Sequence, residues 1–241
     1  MNAPVVKRFK DAAGVAEAAA TALIHKLESV LATKPEAHIA LTGGTVGIAT
    51  LAALGEHPLR DSIDYTRVNF WWGDERFVAS DSDDRNANQA RKALLSKLTL
   101  DANKVHEFPS ADNGLELDAA AAQFAEHVAQ LKPHFDVVFC GIGPDGHICS
   151  LFPGKPAPQP GALVVAEHDS PKPPPQRLTF SYEAVNGADE VWFVVAGADK
   201  QDAVAVAFGD EPESLPVGRV SGREKTVWFV DATAGNKVWG C

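Results

Sequence analysis

The sequence predicts an α/β protein with one doubly wound, mostly parallel sheet and helices on both of its faces. Three observations predict it. Short apolar runs alternate with longer segments of helical periodicity, the pattern of strand–helix–strand units built around a parallel sheet. One run, Phe135 to Cys140 (FDVVFC), is almost continuously apolar, as a strand covered on both faces is. Three Gly-rich or charged turns, at Thr42–Gly47, Gly73–Arg76 and Gly141–His147, follow such runs. That is the edge where parallel sheets hold ligands. At 241 residues the chain is expected to form one domain over its whole length, residues 1–241.

The elements follow in order. Val15, Ala19, Leu23, Leu27 and Leu31 recur every four residues, the stripe of an amphipathic helix. His38–Thr42 is a short apolar strand that runs into Gly43-Gly44, and a helix follows to Leu54. Arg67–Trp72 predicts a second strand. Asp84–Lys97 and Leu115–Leu131 predict helices, and Phe135–Cys140 the buried strand. Later strands are expected at Arg177–Ser181, Glu190–Ala196 and Thr226–Val230, with a helix at Lys200–Phe208. Pro153 to Pro175 is rich in proline. It is expected to be an irregular excursion over the surface.

Bulk properties narrow the function. A net charge of −10 disfavours nonspecific binding to nucleic acid or to an anionic membrane. No apolar run approaches the ~18–20 residues needed to span a bilayer, and the start carries no signal-peptide pattern. The expected location is the cytoplasm, and the expected state is a monomer or a weak homodimer. Cys140, Cys149 and Cys241 are odd in number and lack CxxC spacing, so neither a disulfide framework nor a zinc knuckle is indicated. No HxH or HExxH pattern occurs, and no metal is expected.

Three motifs carry chemistry. The first is Thr42-Gly43-Gly44-Thr45. Here backbone N–H groups at a helix start can approach an anion, and a Thr hydroxyl can add a bond. A plain strand-to-helix turn capped by Thr45 would have the same sequence. It is neither GxGxxG nor a Walker A loop, so no nucleotide is indicated. The second motif is Trp72-Gly73-Asp74-Glu75-Arg76. Arg76 is suited to an anion, and Asp74 to orienting a histidine or accepting a sugar hydroxyl. A solvated loop with an internal ion pair is the alternative. The third is Gly141-Ile142-Gly143-Pro144-Asp145-Gly146-His147. A buried strand and a glycine turn bring His147 to the ligand edge, where a neutral imidazole can take a proton from water. Cys149 and Ser150 are expected to be structural, since no nucleophile elbow surrounds them. Arg177 and Lys200 lie at element ends. Together with the Gly43-Gly44-Thr45 turn they would make a basic corner for a dianionic phosphate.

These blocks resemble the 6-phosphogluconolactonases within the glucosamine-6-phosphate isomerase/lactonase group. The matching residues are Thr42–Thr45 (TGGT), Trp72–Val78 (WGDERFV), Asp83–Leu95 (DDRNANQARKALL), Gly141–Gly154 (GIGPDGHICSLFPG), Pro173–Phe180 (PPPQRLTF) and Val194–Lys200 (VVAGADK). The resemblance implies a doubly wound α/β fold, no cofactor, and a sugar-phosphate lactone as substrate. It implies His147 as the base with Asp74 and Arg76 beside it. It also implies phosphate contacts from Gly43, Gly44, Thr45, Arg177 and Lys200. Two departures stand out: Gly47 where the family often has proline, and Ile148-Cys149 where it often has Thr-Ala. The first is expected to loosen the turn. The second removes a hydroxyl. A glucosamine-6-phosphate deaminase is the nearest rival, but that branch continues the histidine block with Phe-Asn-Glu-Pro. Here the chain reads Ser150-Leu151-Phe152-Pro153. A non-catalytic sugar-phosphate sensor is the alternative of a different class.

Overall fold

The computed structural model describes residues 3–240. Its elements are β1 (Val5–Phe9), α1 (Ala12–Leu31), β2 (Ala37–Leu41), α2 (Gly44–Gly55), β3 (Val68–Trp72), β4 (Asp74–Arg76), α3 (Asn86–Ala93), α4 (Leu117–Leu131), β5 (Val137–Cys140), β6 (Val164–Glu167), β7 (Arg177–Phe180), α5 (Tyr182–Asn186), β8 (Glu190–Val195), α6 (Gln201–Ala207), β9 (Lys225–Asp231) and α7 (Asn236–Trp239). Cys241 lies outside the described residues.

Six strands form a wholly parallel sheet in the order β1-β9-β8-β5-β2-β3. The register shows that helices cover both faces, because side chains of one strand alternate between faces and register partners share one. Trp71 pairs with Ala40, Ala40 with Val138, and Val138 with Val191. That row therefore shares its face with Phe193 and Trp228, which stack at 4.2 Å. On this face Phe124 of α4 meets Trp71 edge-on at 6.1 Å. Phe208, at the end of α6, and Trp239 of α7 extend the same aromatic layer from Trp228. The opposite face carries Phe139, Trp192, Phe229 and Phe9 in mutual contact, with Gly14 of α1 packed on Phe9. The doubly wound prediction holds.

Four expectations are corrected. Gly73–Arg76 is not a loop: Asp74–Arg76 is β4, paired antiparallel with β7. The Arg177–Ser181 strand is not part of the main sheet. As β7 it lies at the centre of a second, three-stranded sheet in the order β4-β7-β6. The proline-rich stretch contains β6, so it is not wholly irregular. The helix expected over Asp84–Lys97 is shorter, Asn86–Ala93, followed by a 3₁₀ turn at Leu95–Lys97. In addition β1 has no counterpart in the expectations. Its VVKRF sequence is mostly exposed and carries Lys7 and Arg8, so it lacks the apolar run that marks a covered strand.

Candidate active site

A pocket opens beyond the carboxyl ends of β2, β3 and β5. It is lined by Thr42, Gly43, Gly44 and Thr45 from the first turn, by Asp74, Arg76 and Asn86, and by Gly141, Gly143 and His147 from the third turn. Lys172, Pro173, Arg177 and Lys200 complete the wall. All eight residues expected at the site thus lie around one cavity. The two glycine turns are tied together: the Gly141 N–H donates to Thr42 Oγ1 at 3.3 Å.

The first turn is shaped by close approach. Gly44 has a left-handed φ of +78°, a region glycine enters without steric cost. A Cβ on Gly43 would sit 2.0 Å from Asn86 Oδ1, so only glycine lets Asn86 seat there. Gly47 lies close against Thr42, where a Cβ would come within 2.7 Å of the Thr42 carbonyl oxygen.

Strand alternation divides the charged residues of β4. Asp74 and Arg76 face the pocket, and Glu75 points inward with 1% exposure. Glu75 accepts the N–H groups of Arg76, Asn86 and Ala87 at 2.8, 2.7 and 2.9 Å. It therefore caps the start of α3, where a negative charge is favourable. Burial pushes its carboxyl upward, and the neighbouring Arg85 opposes that. Asp74 Oδ2 accepts the Ser150 hydroxyl at 2.6 Å. Asn86 Nδ2 donates to the Asp74 carbonyl at 2.9 Å. Arg76 donates to the Asp84 carbonyl at 2.7 Å, and its Nε is buried without a hydrogen-bond partner.

His147 is oriented by Asp145 rather than by Asp74. Its Nδ1 lies 2.5 Å from Asp145 Oδ1, and its ring packs against Phe152 at 4.6 Å. Burial pushes the imidazole below its ordinary value and Lys172 pushes the same way, while Asp145 and then Asp74 push upward. The net shift is downward, so the ring is largely neutral near pH 7. Burial is the largest single influence on the Asp145 carboxyl and raises it, but the hydrogen bond to His147, the charge of that ring and two backbone N–H groups together outweigh it, and the net shift is downward. An ionised carboxylate accepts only, so the His147 Nδ1–H donates to Asp145 and the Nε2 lone pair is left for the pocket.

Arg177 is 5% exposed and mostly committed. Its Nε donates to the Pro174 carbonyl at 2.7 Å. One terminal nitrogen donates to the carbonyls of Lys172 and Pro173 at 3.1 and 3.2 Å. The other lies 4.0 Å from Asp74 Oδ2 and is left for a ligand. Lys200 sits at the end of the 3₁₀ turn before α6, with Asp199 3.0 Å away.

The sequence profile of the glucosamine-6-phosphate isomerases/6-phosphogluconolactonase family matches residues 10–228. The chain belongs to that family. A Streptomyces coelicolor protein named 6-phosphogluconolactonase is 40% identical over 246 residues, covering 97% of this chain and 94% of that protein. One from Mycobacterium tuberculosis is 40% identical over 243 residues, with 97% and 98% covered. Among solved structures, the 6-phosphogluconolactonase of Trypanosoma brucei superposes with a TM-score of 0.86 at 26% identity, covering 99% of this chain and all of that one. Family membership gives context to the residues that sequence reasoning passed over. Asp145 lay two residues before the histidine inside a quoted block, and Asn86 lay in the DDRNAN block. Neither was given a role, since their contacts span turns or elements rather than residue spacing. Lys172 was passed over as part of a surface stretch.

Proposed function

We propose that the chain hydrolyses 6-phospho-D-glucono-1,5-lactone to 6-phospho-D-gluconate, the second step of the oxidative pentose phosphate pathway. One observation carries the reading: a carboxylate-held imidazole faces the same cavity as an anion-suited glycine turn and four cationic side chains, Arg76, Lys172, Arg177 and Lys200. A lactone is an activated ester and needs an oriented water rather than a covalent nucleophile. Asp145 fixes the tautomer, and His147 Nε2 takes a proton as the water oxygen bonds to C1. Arg76 or the glycine-turn N–H groups meet the developing oxyanion. Collapse breaks the bond from C1 to the ring oxygen, which leaves with the proton held by His147. The N–H groups at the start of α2, Thr45, Lys200 and the uncommitted nitrogen of Arg177 hold the remote phosphate, so that C1 meets the water. Asp74 accepts a ring hydroxyl.

We assign the enzyme to the cytoplasm, as one domain and as a monomer or weak homodimer. No helix among the described residues is long and apolar enough to cross a membrane. The deaminase alternative wants a carboxylate after the histidine block, where this chain has Ser150-Leu151-Phe152. The test is turnover of freshly generated lactone, corrected for spontaneous hydrolysis. His147→Ala and His147→Gln should each lower kcat by about 10²–10⁴-fold and leave product binding intact. Product binding by a wild-type protein without turnover would establish the sensor instead.

A further inference from the structure

Ser150 has no part in the steps above, and it does not line the pocket. Yet it is 1% exposed and tied at both ends. Its N–H donates to Thr179 Oγ1 at 3.2 Å, and its hydroxyl donates to Asp74 Oδ2 at 2.6 Å. Thr179 on β7 is the register partner of Asp74 on β4, so three segments close a small ring of contacts around one carboxylate. An O–H to carboxylate bond of this length is of the strong, charge-assisted kind. A carboxylate has about four acceptor sites. The described residues give Asp74 this one short bond and a long one, from Asn86 Nδ2 to Oδ1 at 3.4 Å. The remaining capacity faces the pocket. Being acceptor-only and negative, it repels a phosphate and takes hydroxyl donors.

We propose that Ser150 is a positioning residue whose hydroxyl holds Asp74 in place to accept a ring hydroxyl of the substrate. This rests on the sugar-phosphate lactone reading. Its physical content is a competition. The guanidinium of Arg177 lies 4.0 Å from Asp74 Oδ2, too far for a hydrogen bond and close enough for a small rotation to make one. Ser150 holds the oxygen that would move. Without it, Asp74 closes onto Arg177. The hydroxyl acceptor and the one uncommitted arginine nitrogen are then lost together.

The experiment is a cycle of Ser150→Ala, Asp74→Asn and the double variant, each checked for an unchanged melting midpoint. Two readouts are used: lactone hydrolysis, and calorimetric binding of 6-phosphogluconate and its deoxy analogues. Ser150→Ala should lower kcat/KM about ten-fold or more, the size expected for losing a hydrogen bond to a charged group. The double variant should be no worse than Asp74→Asn alone, since Ser150 acts through Asp74. The wild type should bind one deoxy analogue distinctly more weakly than 6-phosphogluconate, and Ser150→Ala should lose that discrimination. Ser150→Thr, which keeps the hydroxyl, should recover most of both. Additive losses, wild-type kcat/KM in Ser150→Ala, or discrimination kept in that variant would overturn the proposal. If the alanine variant fails to fold, Ser150→Cys replaces it: a weak donor should give an intermediate loss, and full activity would overturn the proposal. A wild type that binds 6-phosphogluconate but does not turn over lactone would sink the lactonase reading alone, and the binding cycle would still decide on Ser150.

Discussion

Asp145 offers the sharpest test of how the histidine is set. Replacing it with Asn keeps the shape and reverses one property. The amide can donate to His147 Nδ1, where the carboxylate at 2.5 Å accepts. The neutral ring then carries its proton on Nε2, the nitrogen needed as base. In serine hydrolases a change of this kind drops kcat by about 10⁴-fold through the wrong tautomer. The His147 side chain is 16% exposed, so water offers some relief and a loss of about 10²–10⁴-fold is expected. Ala at 145 removes the anchor without imposing the wrong tautomer, so it should cost less than Asn. The pH profile gives an independent reading. The base works when neutral, so activity falls as pH drops through its pKa. With the net downward shift, the wild-type acid limb lies below ~6.5, the ordinary histidine value. Both substitutions remove an upward push, so the residual limb moves lower still. The assay is initial-rate acid release from pH 5 to 8, less the spontaneous rate. If Asn is no worse than Ala, the tautomer account fails. If both are near wild type, Asp145 does not serve His147.

Four further outcomes are expected. Lys200→Ala should raise KM for the phosphorylated lactone about ten-fold or more, while sparing unphosphorylated gluconolactone. Arg177→Ala should damage turnover of both lactones, because it also frees three proline-segment carbonyls; a purely phosphate-dependent loss would refute the anchoring role. Among the described residues no group of three or more His, Cys, Asp or Glu is placed to hold a metal, so exhaustive chelation should leave the rate intact, and a loss restored by one metal would refute the mechanism. Finally, the fold should weaken in acid. Asn69 donates to the Ala37 carbonyl, so its oxygen accepts from His106 Nε2 at 3.0 Å, and His106 Nδ1 must accept from His127. Burial first, then His127, push His106 down to about 4. The unfolded chain takes up this proton below ~6.5, so stability is full above that pH and falls by roughly 3 kcal/mol by about pH 4. Urea unfolding at pH 7, 5 and 4 checks this, and His106→Gln should flatten the slope.

The main sheet was legible because its covered strands are apolar runs: Phe135–Cys140 and Glu190–Ala196 carry their burial in their composition. What was not legible depends on partners. β4 is three charged residues and is a strand only because β7 lies beside it. Its alternation then assigns Asp74 and Arg76 to the pocket and Glu75 to the start of α3, a division no spacing rule supplies without knowing it is a strand. The site was legible where a turn and its chemistry are contiguous, as at Thr42–Thr45 and His147. It was not legible where a contact crosses the fold. Ser150 meets Asp74 across 76 positions of chain, and Arg177 is spent on carbonyls that its sequence position does not reveal.

The strand order also dictates how the molecule can be made. β1 has a single neighbour, β9, with Val5 opposite Val227. More than 200 residues must leave the ribosome before that neighbour exists, about ten seconds or more at ~5–20 residues per second. Of the neighbouring strand pairs in the main sheet, β2 and β3 are the first to be complete in the growing chain, and β5, β8 and β9 then supply each next neighbour in the order of their synthesis. Throughout that interval β1 is an unpaired edge, and its Lys7 and Arg8 are the kind of charge that keeps such edges from joining other chains. Of the strands in the main sheet, the one translated earliest is the last whose neighbour is made.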